Sequence, residues 1–333
     1  MSWKRGPLLS SHQLFLGRDE RVIIEKDLIE DLPQTGPPIF NKVINGYVFD
    51  FIITYLYALK SKILTEQKLR IIFLQALASN SRPVIVQPTV SYGTGDGFIS
   101  VLNDIVQARI SYKKSTYSVT LHRFFTAGNK VIYEIVISGN SINSKLTKEL
   151  YEKLLRDSIA NSIYAGKILK VKNTEDERDD GDPAKMEVEI VEDLEDVELN
   201  EIFLPKEIHA DLQRFLYCVS EYDRERLSLR YLLSGPPGTG KTKIIRAIAN
   251  VCKGKATVVL TSGGDPRVNM IFSFANIFKP CIVCIDDLDL IIGNREGQFV
   301  KNALGLFLQR LDGFINSNVF VLATTNDKKL VDI

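Results

Sequence analysis

Residues Gly235 to Thr242 read Gly-Pro-Pro-Gly-Thr-Gly-Lys-Thr, which fills every fixed position of the phosphate-loop pattern G-x-x-x-x-G-K-[ST]. This feature constrains the fold most tightly, because the pattern is meaningful only between a buried strand and the start of a helix. Both flanks comply. Tyr231-Leu232-Leu233 is an apolar run suited to a strand, and Lys243-Ile244-Ile245-Arg246-Ala247-Ile248-Ala249 suits a helix. Glycines let the backbone wrap closely around phosphates, successive N–H groups form an anion nest, and the positive end of the helix adds to the attraction. In such a cradle Gly235, Pro236, Pro237, Gly238, Thr239 and Gly240 supply backbone to a bound nucleotide. Lys241 supplies a charge for the outer phosphates and Thr242 a hydroxyl for Mg²⁺.

Downstream, Cys281-Ile282-Val283-Cys284-Ile285 is an unbroken apolar run that ends in Asp286-Asp287-Leu288-Asp289. Such a run is expected of a parallel strand covered on both faces. An acid at its C-terminal end lies where open α/β sheets bind ligands, so Asp286 is a candidate for the Mg²⁺ shell. The alternative is that Asp286, Asp287 and Asp289 only cap the start of a helix, and for Asp289 that alternative stays open. A third element, Val319-Phe320-Val321-Leu322-Ala323-Thr324-Thr325-Asn326, is another apolar strand ending in an amide. Cys281 and Cys284, three apart on a strand, point to opposite faces and are read as core packing, not as a metal pair.

From about Phe203 to Ile333 the chain resembles an AAA+ ATPase of the AAA clade. Gly-Pro-Pro-Gly-Thr-Gly-Lys-Thr is similar to the family's Walker A and Ile285-Asp286-Asp287-Leu288-Asp289 to its Walker B. Leu311-Asp312-Gly313-Phe314 followed by Ala323-Thr324-Thr325-Asn326 is similar to its run into sensor 1. The resemblance implies ATP and Mg²⁺ as ligands, with Asp287 and Asn326 as catalytic residues and Thr242 and Asp286 on the metal. It also implies a homo-oligomeric ring, hexameric or related, that turns hydrolysis into force on a protein client.

The chain departs from the family pattern in three places. Asp287 stands where the family usually has Glu, one methylene longer, and a catalytic group displaced by about 1 Å can cost on the order of 100-fold in rate. The connection Ser262-Gly263-Gly264-Asp265-Pro266 carries no aromatic side chain, whereas translocating relatives place an aromatic pore loop there. The short connection, preceded by Phe203-Leu204-Pro205, is similar to the branch of the family that includes the mitochondrial translocase of the Rieske iron–sulphur protein and its bacterial and archaeal relatives. The family's arginine fingers and helical lid would follow Ile333, so the expectation is an incomplete large subdomain with weak turnover.

A length of 333 residues and 45% hydrophobic content suit two packed domains. The net charge of +1 provides no global pull toward nucleic acid or anionic membrane. Charge is uneven along the chain, however: Glu175 to Glu201 holds 14 acids against Arg178 and Lys185. Solvated surface or a docking site for a basic partner both fit that stretch. Four cysteines, Cys218, Cys252, Cys281 and Cys284, form no disulfide framework, which favours the cytoplasm or another reducing compartment. The apolar stretch Tyr47 to Leu59 contains Asp50 and is shorter than the ~20 residues of a membrane span. His12, His122 and His209 show no metal-ligand spacing.

The N-terminal region carries no catalytic motif and reads as mixed α and β. A long helix is expected over Phe40 to Leu64, a second near Gln67 to Ala78, and a strand over Pro83 to Val90. Tyr117 to Phe124 and Val131 to Ile137 flank Gly128-Asn129, a hairpin signal. Leu146, Leu150, Leu154 and Ile159 space a helix that ends near Gly166. Gly93-Thr94-Gly95-Asp96-Gly97 lacks the spacing and the lysine of a phosphate loop and is read as a turn, with a second phosphate site as the lesser alternative.

The expected fold is therefore an α/β P-loop NTPase module, a parallel sheet flanked by helices, preceded by a mixed α+β domain. Domain boundaries are expected at 1–173 for an N-terminal client or partner domain, 174–200 for an acidic linker with an edge strand at Met186 to Val191, and 201–333 for the ATPase module. The leading functional expectation is an ATP-driven protein-remodelling machine. A nucleic-acid-directed ATPase finds no basic or aromatic patch to support it, and a nucleotide-gated assembly module with little turnover draws on Asp287.

Overall fold

The computed structural model describes residues 40–66, 69–77, 83–84, 105–125, 131–139, 144–171, 186, 188–222, 228–263, 265, 267–290 and 319–326. The chain divides into two compact units, one of residues 1–89 and 99–162, the other of 90–98 and 163–333. Gly93 to Gly97 and Leu311 to Phe314 lie outside the described residues.

The first unit is an antiparallel sheet of order β1-β6-β5-β4-β2-β3, built from β1 (Phe40–Ile44), β2 (Leu69–Leu77), β3 (Pro83–Val84), β4 (Ile105–Tyr112), β5 (Ser115–Phe125) and β6 (Val131–Gly139). Helices α1 (Gly46–Lys60) and α2 (Ser144–Ala160) pack together, and α1 also packs on β2 and β6. Strands β4 and β6 alternate buried and half-buried residues along their length, the period-two signature of a sheet with one face on the core. The expected hairpin is present as β5 and β6, paired from Tyr117↔Gly139 to Phe125↔Val131. Between β4 and β5 the chain turns on Lys113 and Lys114, both at positive φ, as a tight two-residue hairpin loop requires.

Two expectations for this unit are corrected. The helix expected to begin at Phe40 begins at Gly46 instead, and Phe40–Ile44 pairs with β6 as a strand. Asn45 makes the break: its Oδ1 accepts from the Tyr47 N–H at 2.9 Å, an N-cap that stops the helix from extending backwards. The helix expected near Gln67 to Ala78 is the strand β2, antiparallel to β4. Its register shifts between Ile71 and Phe73. The irregularity interrupts strict alternation and leaves a run of apolar residues that imitates a helix face. Helix α1 is buried over most of its length, Asp50 included. No helix among the described residues is long and apolar enough to cross a membrane.

The second unit is a sheet of order β8-β7-β10-β11-β12-β9, formed by β7 (Ile168–Val171), β8 (Val188–Ile190), β9 (Arg230–Ser234), β10 (Thr257–Ser262), β11 (Cys281–Asp286) and β12 (Val319–Thr325). All neighbours run parallel except β8, antiparallel to β7 at the edge. Helices α3 (Lys206–Ser220) and α4 (Lys241–Cys252) share a core with Val258, Ile282, Cys284, Phe320 and Leu322. Phe215 of α3 meets Phe320 edge-on at 5.5 Å between ring centroids, an arrangement that adds to the gain from burial alone. Helix α5 (Val268–Ala275) packs on β10 and β11. Cys284 belongs to the core shared with α3 and α4 whereas Cys281 does not, although both are buried.

The division of the chain differs from the expected boundary at 173. Ile168–Val171 pairs in parallel with β10, Ile168 opposite Val258, so β7 belongs to the second sheet. A short strand with three buried apolar residues does not state which sheet it will join, since the pairing is made with residues about 90 positions away. The acidic stretch is likewise more than a linker. Val188 is buried in β8, and Val197 and Leu199 join the core of the second unit.

Candidate functional site

Strand order places the site. Strands β9, β11 and β12 run parallel, with Ser234 opposite Thr325 and Ile285 opposite Ala323. Their C-terminal ends therefore open on one edge of the sheet. The chain leaves β9 for β10 across β12 and β11, and such a change of direction forms the crevice where open α/β sheets take ligands.

The loop after β9 follows from its residues. Gly238 and Gly240 have φ of +83° and +85°, a conformation that L side chains rarely adopt and glycine adopts freely. Thr239 Oγ1 donates to the Pro236 carbonyl at 2.8 Å, and the Gly235 N–H donates to the Thr325 carbonyl at 3.3 Å, which ties the loop to β12. Pro237 lies on the outer turn between them. Lys241 opens α4 and is buried, 9% exposed. Its ammonium donates to the carbonyls of Gly235 at 2.7 Å and Pro236 at 2.9 Å and to Asn326 Oδ1 at 2.8 Å. All three of its donors are thereby used.

The acids of β11 meet these groups. Thr242 Oγ1 donates to Asp286 Oδ2 at 2.9 Å, and Thr324 Oγ1 donates to Asp286 Oδ1 at 2.5 Å. Asn326 Nδ2 donates to Asp287 Oδ1 at 3.1 Å. Asp287 has a φ of +50°, uncommon for a residue with a Cβ and maintained only where the surroundings impose it. The structure thus brings Lys241, Thr242, Asp286, Asp287 and Asn326 into one hydrogen-bonded cluster. A hydroxyl and a carboxylate in contact are the hard oxygen ligands that Mg²⁺ takes. The left-handed glycines leave backbone N–H groups free of side-chain cover, so these residues suit a nucleotide phosphate chain with its metal.

Asp289 also meets the end of β12. Its Oδ1 accepts from the Thr325 hydroxyl at 3.1 Å and from the Asn326 N–H at 3.0 Å, which ties the turn after β11 to the end of β12. Burial pushes the Asp289 carboxyl up, but the N–H groups of Asn326 and of Asp289 itself, with the Thr325 hydroxyl and the Asn326 amide, outweigh it. The group is held below its ordinary value. Thr324 and Asp289 are the cluster members that the sequence reading did not assign. Both lie inside the runs that resemble the family's Walker B and sensor 1, but those runs assign neither a role of its own.

The sequence also did not reveal the approach of the acidic stretch to the loop. Glu195, Asp196, Val197, Glu201, Ile202, Phe203, Thr239 and Lys243 line a cleft of about 310 Å³. Arg246 of α4 pairs with the Glu195 carboxylate, and Asn250 Nδ2 donates to the Glu195 carbonyl at 2.9 Å. These two contacts fasten the stretch to the helix that carries Lys241.

Comparison with known proteins agrees with the geometry. The profile of the ATPase family associated with various cellular activities (AAA) matches residues 231–333. The ATP-dependent zinc metalloprotease FtsH of Clostridium perfringens is 35% identical over 143 residues, 38% of this chain and 20% of that protein. The ATP-dependent zinc metalloprotease YME1 homolog of Caenorhabditis elegans is 36% identical over 30% of this chain and 16% of its own length. The peroxisomal ATPase PEX6 of Dictyostelium discoideum is 34% identical over 30% of this chain and 10% of its own length. The chain thus spans a fifth or less of each of these relatives. The phosphate loop, the paired acids at the end of β11 and the amide that follows β12 all fall inside the matched residues, so residues 231–333 carry a domain of the AAA ATPase family.

Proposed function

We propose that this protein binds ATP with Mg²⁺ and hydrolyses it, as the motor module of a ring-forming, protein-remodelling machine. The observation that carries the reading is the convergence of Lys241, Thr242, Asp286, Asp287 and Asn326 at the C-terminal ends of three parallel strands. Gly238, Thr239 and Gly240 offer backbone N–H groups to the phosphates, and Lys241 offers its charge. Thr242 and Asp286 hold the metal, which when bound neutralises charge developing on the phosphoryl oxygens. Asp287 takes the proton of an attacking water, and Asn326 holds the Asp287 carboxylate and the Lys241 ammonium in fixed relation. Catalysis of this kind rests on positioning and electrostatics.

The ring, the protein client and the role of the first unit as the client-engaging part rest on the family resemblance. The shorter Asp287 carboxylate favours slow turnover, in which nucleotide occupancy more than processive hydrolysis sets the state of the assembly. Ser262–Pro266 carries no aromatic group to grip an extended chain, which favours a client handled folded or partly folded.

The test is equilibrium titration of the purified protein with a fluorescent ATP analogue, with Mg²⁺ and with chelator, alongside phosphate release and sedimentation with and without ATP. Mg²⁺-dependent binding that weakens on Asp286→Ala supports the reading. A folded protein that binds no adenine nucleotide overturns it.

A further inference from the structure

Thr324 is fully buried in β12, among the otherwise apolar residues Val319 to Ala323. A buried hydroxyl is costly unless its hydrogen bonds are made, and this one makes two. It donates to Asp286 Oδ1 at 2.5 Å and accepts from the Asp287 N–H at 3.0 Å. The Thr324 carbonyl accepts in addition from the Leu288 N–H at 2.7 Å. One residue therefore spends both its hydroxyl and its carbonyl on the turn that follows β11.

The turn is closed from the other side by β10. The Gly263 N–H donates to the Asp286 carbonyl at 2.8 Å, and a Cβ at position 263 would lie 2.3 Å from the Asp287 carbonyl oxygen. Held between Gly263 and Thr324, Asp287 keeps its φ of +50°. With Asp286 Oδ1 engaged by Thr324, Oδ2 is the oxygen that meets Thr242.

We propose that Thr324 is a positioning residue: its hydroxyl orients the Asp286 carboxylate toward the Thr242 hydroxyl as a metal ligand, and it holds the Asp287 turn in the conformation that brings the carboxylate to Asn326. The proposal rests on the Mg²⁺–nucleotide reading of this site. Groups that orient a metal ligand are worth about 10- to 100-fold in metal affinity. The effect of losing the Thr324 hydroxyl belongs to the metal and not to the phosphate loop, because its hydrogen bonds go to Asp286 and Asp287.

The experiment compares wild type, Thr324→Val and Thr324→Ser as purified full chains. Each is titrated with a fluorescent ATP analogue in chelator, then with Mg²⁺ at fixed analogue, and its thermal midpoint is recorded. Thr324→Val is expected to bind the analogue in chelator within about threefold of wild type, yet to need about 10-fold more Mg²⁺ or beyond for half-maximal response. Thr324→Ser keeps the hydroxyl and is expected to titrate like wild type. An unchanged Mg²⁺ midpoint in folded Thr324→Val overturns the proposal while leaving the nucleotide reading intact. A tenfold rise in Thr324→Ser overturns it too, and that arm decides the matter if the valine variant does not fold. Wild type that ignores the analogue at every Mg²⁺ concentration overturns the nucleotide reading and the proposal together.

Discussion

The Lys241 ammonium donates to the Asn326 side-chain carbonyl at 2.8 Å across 85 residues of chain. Asn326 passes the link on, since its amide nitrogen donates to Asp287 Oδ1 at 3.1 Å. The cation of the phosphate loop and the acid after β11 are therefore held by the two ends of one amide.

Removing the Lys241 ammonium deletes a charge-assisted contact to phosphate and leaves Asn326 Oδ1 and two loop carbonyls without their donor. Lys241→Ala is expected to weaken ATP binding about 10- to 100-fold, as follows from roughly 1.5–3 kcal/mol for a hydrogen bond to a charged group. Titration with a labelled ATP analogue measures this. Unchanged affinity in a folded variant would show that the loop is not the nucleotide site.

Asp287 and Asn326 touch, so their contributions to turnover are expected to overlap. Asp287→Asn and Asn326→Ala are each expected to slow single-turnover hydrolysis by at least about 10²-fold, the scale of general-base and positioning effects. Nucleotide affinity is expected to change far less. Combined, they are expected to slow it by much less than the product of the two, because residues sharing one network are not additive. Strict additivity would mean that the 3.1 Å contact has no role in the reaction.

Asp289 predicts a pH dependence of stability. Its carboxyl is held below the ordinary value near 3.8 by the Asn326 and Asp289 N–H groups and the Thr325 hydroxyl, against the opposing effect of burial. A depressed folded-state value means that the unfolded chain binds the proton first as pH falls. The stabilisation is thus complete above the ordinary aspartate range and declines as pH drops through it to the lower folded value. Urea unfolding of wild type and Asp289→Asn should show a stability gap that is constant from about pH 6 to 8 and narrows below about pH 4. A gap that does not change down to acid pH would remove the carboxylate from this role.

Gly263 has no room for a side chain. An added Cβ would lie 2.3 Å from the Asp287 oxygen and 2.5 Å from Leu288 Cα, both backbone atoms. Gly263→Ala is expected to destabilise the fold by roughly 1–3 kcal/mol, the usual cost of forcing atoms into a packed site. It should also raise the Mg²⁺ requirement for nucleotide binding by displacing the Asp287 turn. Denaturant midpoints together with a Mg²⁺ titration check both; wild-type values in each would show that the loop yields without effect on the site.

Local sequence determined the nature of this protein's second unit. The phosphate loop with its flanking strand and helix, the apolar runs of β11 and β12 and the polar residues that end them follow from short-range rules of period, turn and charge, so the residue types of the site could be read in order along the chain. Tertiary structure decided the rest. It assigned Ile168–Val171 to the second sheet, turned residues 69–77 from an apparent helix into an irregular strand, and gave Thr324 and Asp289 their tasks. The reason is common to all of these: each outcome depends on a hydrogen-bond partner distant in sequence. The local pattern records that a residue is apolar or polar, but only the completed sheet establishes which group it meets.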